Sequence, residues 1–517
     1  MKFHPKHLIL IAILALAAWA LFPPSDKPTE ASPLKSQLDK KPVKYVLRMA
    51  PGVYLPGLQP ASAPKPLEAL THVAREYEKF FPDTRIEFAN VPSSMREWLV
   101  TQLSSAQAPD IFNVNVEDVW QDTQKGWYLP LDDFFDQPNP FVPDNKHWND
   151  IFKYQAITQG KRAPDGHMYC LTYDMVETGI FYNKDLFKKL NLKVPSNFDE
   201  FIEIEKALKK SGHVPMTIDP EMLADWAVDL MFDQLYYPIA PLTDLNKDPK
   251  RAMYLANYLD WDEIIYLHRK GFFTAHDPRW VDLFRILHDW RQYMAQDIVN
   301  LNPNEPFFSQ QAGMIWAASE LVQRLARDPN LGFDWGVFYL PPLTKNQSRY
   351  ASGRPMCVIG GSAMQYCVSN SAISDTHDVK TSERLRRVIG FLQFLTAPKN
   401  VDAVVNEPIF FLPNVIGVEP HAELKPFDEF LHRPYTSTKW YFTFDLKFDE
   451  IMRRMIPLYM DDGMTQDEFI DVMDRAITAA ADNITARKKI DFSEFDRIWE
   501  QRADLRKKYE GLPDAAR

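Results

Sequence analysis

Carboxylates are the groups in this sequence best suited to bond chemistry, and two adjacent pairs stand out, Asp132-Asp133 and Asp461-Asp462. A glycosidase needs two carboxylates close in space rather than in sequence, so such an enzyme leaves no short motif and stays open as a reading. Sequence neighbours on a helix point in different directions, and both pairs fall at expected element ends, where a solvated capping role is the plain alternative. Asp244, Asn246 and Asp248 have the spacing of the first three ligands of a calcium loop. The sixth position is Pro249 instead of Gly and the twelfth is Leu255 instead of Glu, which rejects that site. The 12 histidines form no ligand-spaced cluster, and no HExxH, GxSxG, GxGxxG or phosphate-loop lysine motif occurs. The commonest zinc-protease, serine-hydrolase and nucleotide-site signals are therefore missing, and neither a metal nor a cofactor is expected. Asn346-Gln347-Ser348 and Asn483-Ile484-Thr485 match the glycosylation sequon, which predicts a modification only in a cell that has the machinery.

Binding chemistry is better provided for. The pattern predicts strands over 43–49, 84–91 and 109–114, with helices over 67–80 and 94–104 between them. Strand, helix, strand, helix, strand is the pattern of a parallel α/β sheet, because each return crossover needs a helix. Ligands in open sheets of this kind gather beyond the carboxyl ends of the strands. That rule singles out Tyr54, Asn115 and Glu117 as ligand contacts, with structural packing as their alternative. Trp316 ends an expected strand beside the small Ala317 and Ala318, which leave room for a ligand. Trp226 follows Asp219-Pro220 in an apolar helix, where stacking on a ligand and core packing are both open. Phe411 after Pro408, and Trp440 beside Tyr441, complete the aromatic candidates.

The elements that must position these side chains come from a chain of 517 residues, 45% hydrophobic and 13% aromatic, with a net charge of -11. That is enough apolar material for two or more cores, and it excludes disorder for the bulk of the chain. With acid in excess the chain is not a generic nucleic-acid binder. Ser196 to Asp199 and Thr465 to Glu468 each place a hydroxyl three residues before a carboxylate, as a helix capping box does. Apolar stripes through Leu385, Val388, Ile389, Leu392 and Leu395, and through Phe469, Val472, Met473, Ala476, Ile477 and Ala480, read as core. Residues 491–517 read as a peripheral helix anchored by Phe492, Phe495 and Trp499. At the amino end, two lysines precede an apolar run from Leu8 to Phe22, and Ala18-Trp19-Ala20 suits a signal peptidase. Residues 1–20 are thus read as an export signal cleaved after Ala20, with an uncleaved anchor as the alternative, and 21–42 as a Pro-rich linker. The three cysteines, Cys170, Cys357 and Cys367, sit among apolar residues and read as free buried thiols.

Several stretches, in order, resemble the sugar-type extracellular solute-binding proteins of ABC transporters, the family that includes maltose-binding protein. Met168 to Phe187, with Tyr182-Asn183-Lys184-Asp185-Leu186-Phe187, is similar to the family's crossover strand and the helix start after it. Val194 to Phe201, Ala108 to Ile111, Gly126 to Leu131, Phe307 to Trp316, Trp335 to Pro341 and Phe391 to Thr396 follow. Thr172, Phe198, Ala318 and Glu320 depart from the family pattern, the last two at a sugar-stacking position. The resemblance implies an α/β, two-lobed periplasmic-binding-protein-like (type II) fold with interleaved lobes joined by crossover strands. Residues 43–174 and 358–412 would form the first lobe, and 175–357 and 413–517 the second, with passages near 172–178 and 355–370. It further implies a monomer that closes on a carbohydrate, without turnover, and delivers it to the transmembrane permease subunits of an ABC importer. The location would be the periplasm, or the outer face of the cytoplasmic membrane if the anchor stays. Tyr173 and Asp174 fall at the first crossover, where the family places ligand contacts; a hinge-packing role is their alternative. The expected grip is Tyr173 with at least one of Trp226 and Trp316.

Overall fold

The computed structural model describes residues 42–60, 63–91, 95–154, 162–163, 165–219, 222–245, 259, 261–296, 302–356, 363–431, 433 and 445–509. The expected export segment, nearly all of the linker, Cys357 and Trp440 with Tyr441 lie outside the described residues. Among those described, no helix is long and apolar enough to cross a membrane.

Alternation of buried and exposed residues sets up the first sheet. In β1 (Tyr45–Ala50) Tyr45, Leu47 and Met49 turn inward while Val46 faces solvent. β1 pairs in parallel with β2 (Thr84–Phe88) and with β3 (Ile111–Asn113), as the strand-helix-strand pattern requires. Two later strands, β4 (Cys170–Thr172) and β10 (Gln365–Val368), complete the order β2-β1-β3-β10-β4, with β10 antiparallel to both neighbours. The helix Ala69–Phe80 packs Leu70, Val73, Ala74 and Tyr77 into this first core, and its first free backbone N–H groups donate to the carboxylate of Glu407. The helix Glu383–Leu395 adds the apolar stripe read from the sequence, capped by Ser382.

A second sheet is ordered β7-β8-β6-β9, from β6 (Thr178–Asn183), β7 (Val214–Ile218), β8 (Ala312–Ala318) and β9 (Trp335–Phe338). The helices Phe198–Lys210, Pro278–Arg291, Leu446–Met460 and Gln466–Lys488 bury their apolar faces in its core, and Trp499 packs edge-on against Phe272 there. Thr465 and Glu468 form the expected capping box. The other expected box is shifted by one residue: Asn197, extended and with a side-chain amide oxygen that accepts the Glu200 N–H, is the cap, and the Ser196 N–H and hydroxyl donate to the Glu200 carboxylate instead. Asp199 is drawn away to Thr344, Asn346 and Gln347, which stitch the 344–347 turn to the helix start.

Two buried acids hold the frame. Asp110, 1% exposed, takes the Arg48 backbone N–H at 2.8 Å and a two-pronged bond from Arg384 at 2.8 and 2.7 Å, joining β1, β3 and the helix Glu383–Leu395. Glu177 lies where the chain leaves the first core for the second. It accepts from the Thr178 N–H at 2.7 Å and the Tyr339 hydroxyl at 3.1 Å, while its second carboxylate oxygen has no hydrogen-bond partner. Burial pushes the Glu177 carboxyl up to about 8, against those two hydrogen bonds and the more distant Arg433, all of which favour the charged form.

Removing the Asp110 carboxylate should strand Arg384, so Asp110→Ala should cost about 3 kcal/mol in urea denaturation. Arg48→Ala, which leaves the backbone donor in place, should stay within about 0.5 kcal/mol of the parent. Glu177 gives a pH test. Its folded carboxyl holds a proton that the unfolded chain, near 4.5, has released, so its contribution is full below pH 4.5 and is lost as pH rises through about 8. Melting temperature of the parent should fall over that window relative to Glu177→Gln, the two agreeing near pH 5 and the Gln variant melting higher at pH 8.5. Comparing the pair cancels the contributions of Glu205 and Asp277, which burial also raises.

Candidate functional site

Among the described residues, three passages of chain lead between the two cores. On the first, Tyr173 packs in the first core and Met175 in the second, with β5 (Asp174–Met175) between them. The second runs from Met356 in the second core to Met364 in the first, through residues 357–362, outside those described. On the third, β11 (Leu412–Pro413) pairs antiparallel with β5, Pro413 opposite Asp174. Around it Phe411, Val415 and Val418 pack into the first core and Leu412 into the second, so no single residue divides the lobes there.

Above this junction lies a cleft of about 620 Å³. The first lobe contributes Val53, in the turn after β1, and Phe410 with Phe411. From the second lobe come the carboxyl ends of β7 and β8, in Asp219, Trp316, Ala317 and Ala318, with Met222 beyond β7, Asn302 and Asn304 from the turn before the helix Asn304–Phe308, and Glu320, Gln323 and Arg324 from the start of the helix Leu321–Arg327. Ser319 secures the β8 end to both neighbouring passages, its N–H donating to the Glu177 carbonyl at 2.8 Å and its hydroxyl to the Phe410 carbonyl at 2.9 Å. Thr217 holds the Pro303 carbonyl at 2.8 Å and so sets the Asn302-Pro303-Asn304 turn against β7.

Of the residues singled out from the sequence, Trp316 and Phe411 line this cleft. Trp316 is only 1% exposed, because its ring lies between Trp226 at 6.2 Å and Trp290 at 6.1 Å between centroids. Trp226, in a single π-helical turn Leu223–Ala227, is behind it and buried. Tyr173 is fully buried between Tyr54 and Tyr366, and Tyr54 donates its hydroxyl to Asp174 at 2.6 Å. In this conformation Tyr54, Tyr173, Asp174 and Trp226 are buried and are not among the residues that line the cleft. The aromatic rings at the first-lobe wall of the cleft are the half-buried Phe410 and its neighbour Phe411, 5.8 Å between ring centroids. Asn115 is exposed at the start of the helix Val116–Asp122 and is not among the lining residues; the Glu117 side chain and Trp440 lie outside the described residues.

Sequence reasoning missed Phe410, Asn302, Asn304, Gln323 and Arg324 as cleft groups. Phe410 is adjacent to a residue it did choose; the others lie at or near the starts of the helices Asn304–Phe308 and Leu321–Arg327, whose positions depend on tertiary contacts. Glu320, noted as a departure, becomes the most informative polar group here. Its side chain reaches solvent, yet the cleft walls surround it closely enough that desolvation raises its carboxyl, and it makes no ion pair among the described residues. Arg324, one turn further on, instead stacks over Phe308 at 3.6 Å from the ring centroid. Neither carboxylate pair belongs to the cleft: Asp132 is held by Arg162 and the Met168 N–H, Asp461 by Arg291, and Asp462 by His288. Among the described residues no cluster of side chains is able to hold a metal ion.

Comparison with known proteins agrees with this geometry. The family description "Bacterial extracellular solute-binding protein" matches residues 60–402. A multiple sugar-binding protein of Streptococcus mutans is 24% identical over 150 residues, 29% of this chain and 32% of that protein, so the match spans about a third of the relative's length. Among solved structures, the GacH receptor of Streptomyces glaucescens, described unliganded and with acarbose, has a TM-score of 0.58 at 16% identity, covering 85% of this chain and 98% of the other. UgpB from Mycobacterium tuberculosis, in complex with glycerophosphocholine, has a TM-score of 0.58 at 14% identity, covering 86% and 99%. At such identities these neighbours speak for the fold alone, the two lobes and their crossovers. The family match covers well over half the sequence, and the chain belongs to the bacterial extracellular solute-binding proteins.

Proposed function

We propose that this protein closes its two lobes around a carbohydrate, an oligosaccharide by preference, and presents it to the transmembrane subunits of an ABC importer without chemical turnover. The observation that carries the reading is the make-up of the cleft: the Phe410–Phe411 surface of one lobe faces Asp219, Asn302, Asn304, Glu320 and Gln323 of the other. An aromatic face covers the C–H face of a pyranose while amides and carboxylates take its hydroxyls. Closure needs a ligand that touches both sides, since only differential contact with the closed state shifts the equilibrium. The S. mutans relative and the acarbose-bound GacH receptor point the same way, whereas glycerophosphocholine on UgpB marks the phosphodiester class that the test must include.

On this reading the ligand touches Phe410, Phe411, the edge of Trp316 and Glu320, while Tyr54, Tyr173 and Asp174 brace the hinge. The lobes are 43–174 with 358–412 and 175–357 with 413–517, approximate at their ends, and the working form is a monomer at the outer face of the cytoplasmic membrane or in the periplasm. No cofactor takes part.

Thermal-shift screening against mono- and oligosaccharides, glycerophosphodiesters and peptides should raise the melting temperature with an oligosaccharide, because a ligand of the native state stabilises it by mass action. Calorimetric titration of that sugar should then weaken about tenfold for Phe410→Ala and by about ten- to a hundredfold for Glu320→Gln. Stabilisation by phosphodiesters or peptides alone would reassign the ligand, and steady release of cleaved sugar would make the protein an enzyme.

A further inference from the structure

We propose that Cys170 and Cys367 form a disulfide in the exported protein, joining the strand by which the chain leaves the first lobe to the strand by which it returns. The two residues are direct partners in the antiparallel pairing of β4 with β10, so their side chains rise from the same face of the sheet. Their sulfur atoms stand 3.1 Å apart, and both residues are buried, at 1% and 0% exposure. Direct partners in an antiparallel pair have Cα atoms roughly 4.5 to 5.5 Å apart. That lies within the roughly 4.4 to 6.8 Å a disulfide spans, so the bond needs side-chain rotation and no movement of the strands. Free thiols, the ordinary reading of three cysteines in a long chain, suit a reducing compartment, whereas members of this family act outside the cell membrane, where disulfides persist.

The bond would close a loop between residues 197 apart in sequence, and that loop contains β5 to β9 with the whole second sheet. A cross-link of that length removes much of the freedom of the unfolded chain while leaving the hinge residues after Thr172 free to turn. Formation is thiol–disulfide exchange with a small-molecule or protein disulfide as oxidant. One cysteine thiolate attacks the oxidant, giving a mixed disulfide and one released thiol; the second cysteine attacks that mixed disulfide, and the second half leaves as a thiol. Two cysteine S–H bonds and one oxidant S–S bond are thus exchanged for one protein S–S bond and two oxidant thiols. Burial pushes the Cys367 thiol well up, so little thiolate exists once the sheet has closed. The bond therefore forms as the chain folds and is sheltered from reductants afterwards. Cys357, outside the described residues, is left as the unpaired thiol.

The test is oxidative refolding of the full chain from denaturant in a glutathione redox buffer, then alkylation of free thiols and peptide mass mapping. The proposal expects a linked Cys170–Cys367 peptide with alkylation confined to Cys357, and no alkylation at all in Cys357→Ala. In the native fold a small thiol reductant should leave the bond intact; after reduction in denaturant and refolding with reductant present, the melting temperature should drop by about 5 °C or more. Three alkylated cysteines, or a bond that includes Cys357, would overturn it. Cys170→Ala/Cys367→Ala should melt at the reduced value with or without reductant, and if that variant does not fold, Cys357→Ala alone decides.

Discussion

Asp174 ties together the three passages between the lobes described above. One carboxylate oxygen takes the Tyr54 hydroxyl from the turn after β1, and the other takes the Met364 N–H from the chain just returned to the first lobe. Its own backbone belongs to the first passage and pairs with Pro413 of the third. A carboxyl group with no exposed surface is tolerated only when such donors surround it, since leaving it without partners would cost several kcal/mol. The requirement runs both ways: the donors fix the carboxylate, and the carboxylate holds three distant stretches of sequence in one place.

The cleft inherits its shape from this junction. Val53 is one residue from Tyr54, and Phe411 is two residues from Pro413, so the first-lobe wall is set by the same hydrogen bonds that hold Asp174. The opposite wall is set by packing. Trp226, Trp316 and Trp290 lie in a row behind the end of β8, and Trp290 donates its indole N–H to both oxygens of buried Glu205 at 3.0 Å. These rings give β8 a firm backing and keep its terminal Ala317 and Ala318 against the cleft, while polar groups come from the turns and helix starts beyond. Division of labour of this kind, with aromatic bulk behind and polar turns and helix starts in front, allows the groups at the cleft to vary without disturbing the core.

Three of the buried acids sit in different electrostatic settings. Asp110 meets a guanidinium in a two-pronged bond, Glu205 meets a neutral indole, and Glu177 meets one N–H and one hydroxyl at the hinge. A neutral indole, N–H or hydroxyl offsets the cost of burial only in part, and the Glu205 and Glu177 carboxyls are pushed well above the usual carboxylate range. Glu320 differs from all three, being reachable by solvent inside a concave wall, a position that leaves its lone pairs open to a bound molecule.

Local pattern in the sequence settled the parallel β1–β2–β3 arrangement, the apolar stripes of Glu383–Leu395 and Gln466–Lys488 and the capping box at Thr465, because each depends on neighbours within a few residues. The run of family-like segments fixed the two-lobed architecture. Tertiary structure alone decided the rest. Whether Tyr173 or Phe410 faces the cleft turns on hydrogen bonds to Asp174 from residues 54 and 364, and whether Trp316 stacks on a ligand or on its neighbours turns on a π-helical turn some ninety residues earlier. Asp199 left its expected box for a loop far along the chain, and Cys170 met Cys367 across a strand pair. A sequence announces which residues are apolar, aromatic or acidic through their own chemistry; the surface each one presents is set by partners brought close only when the chain has folded.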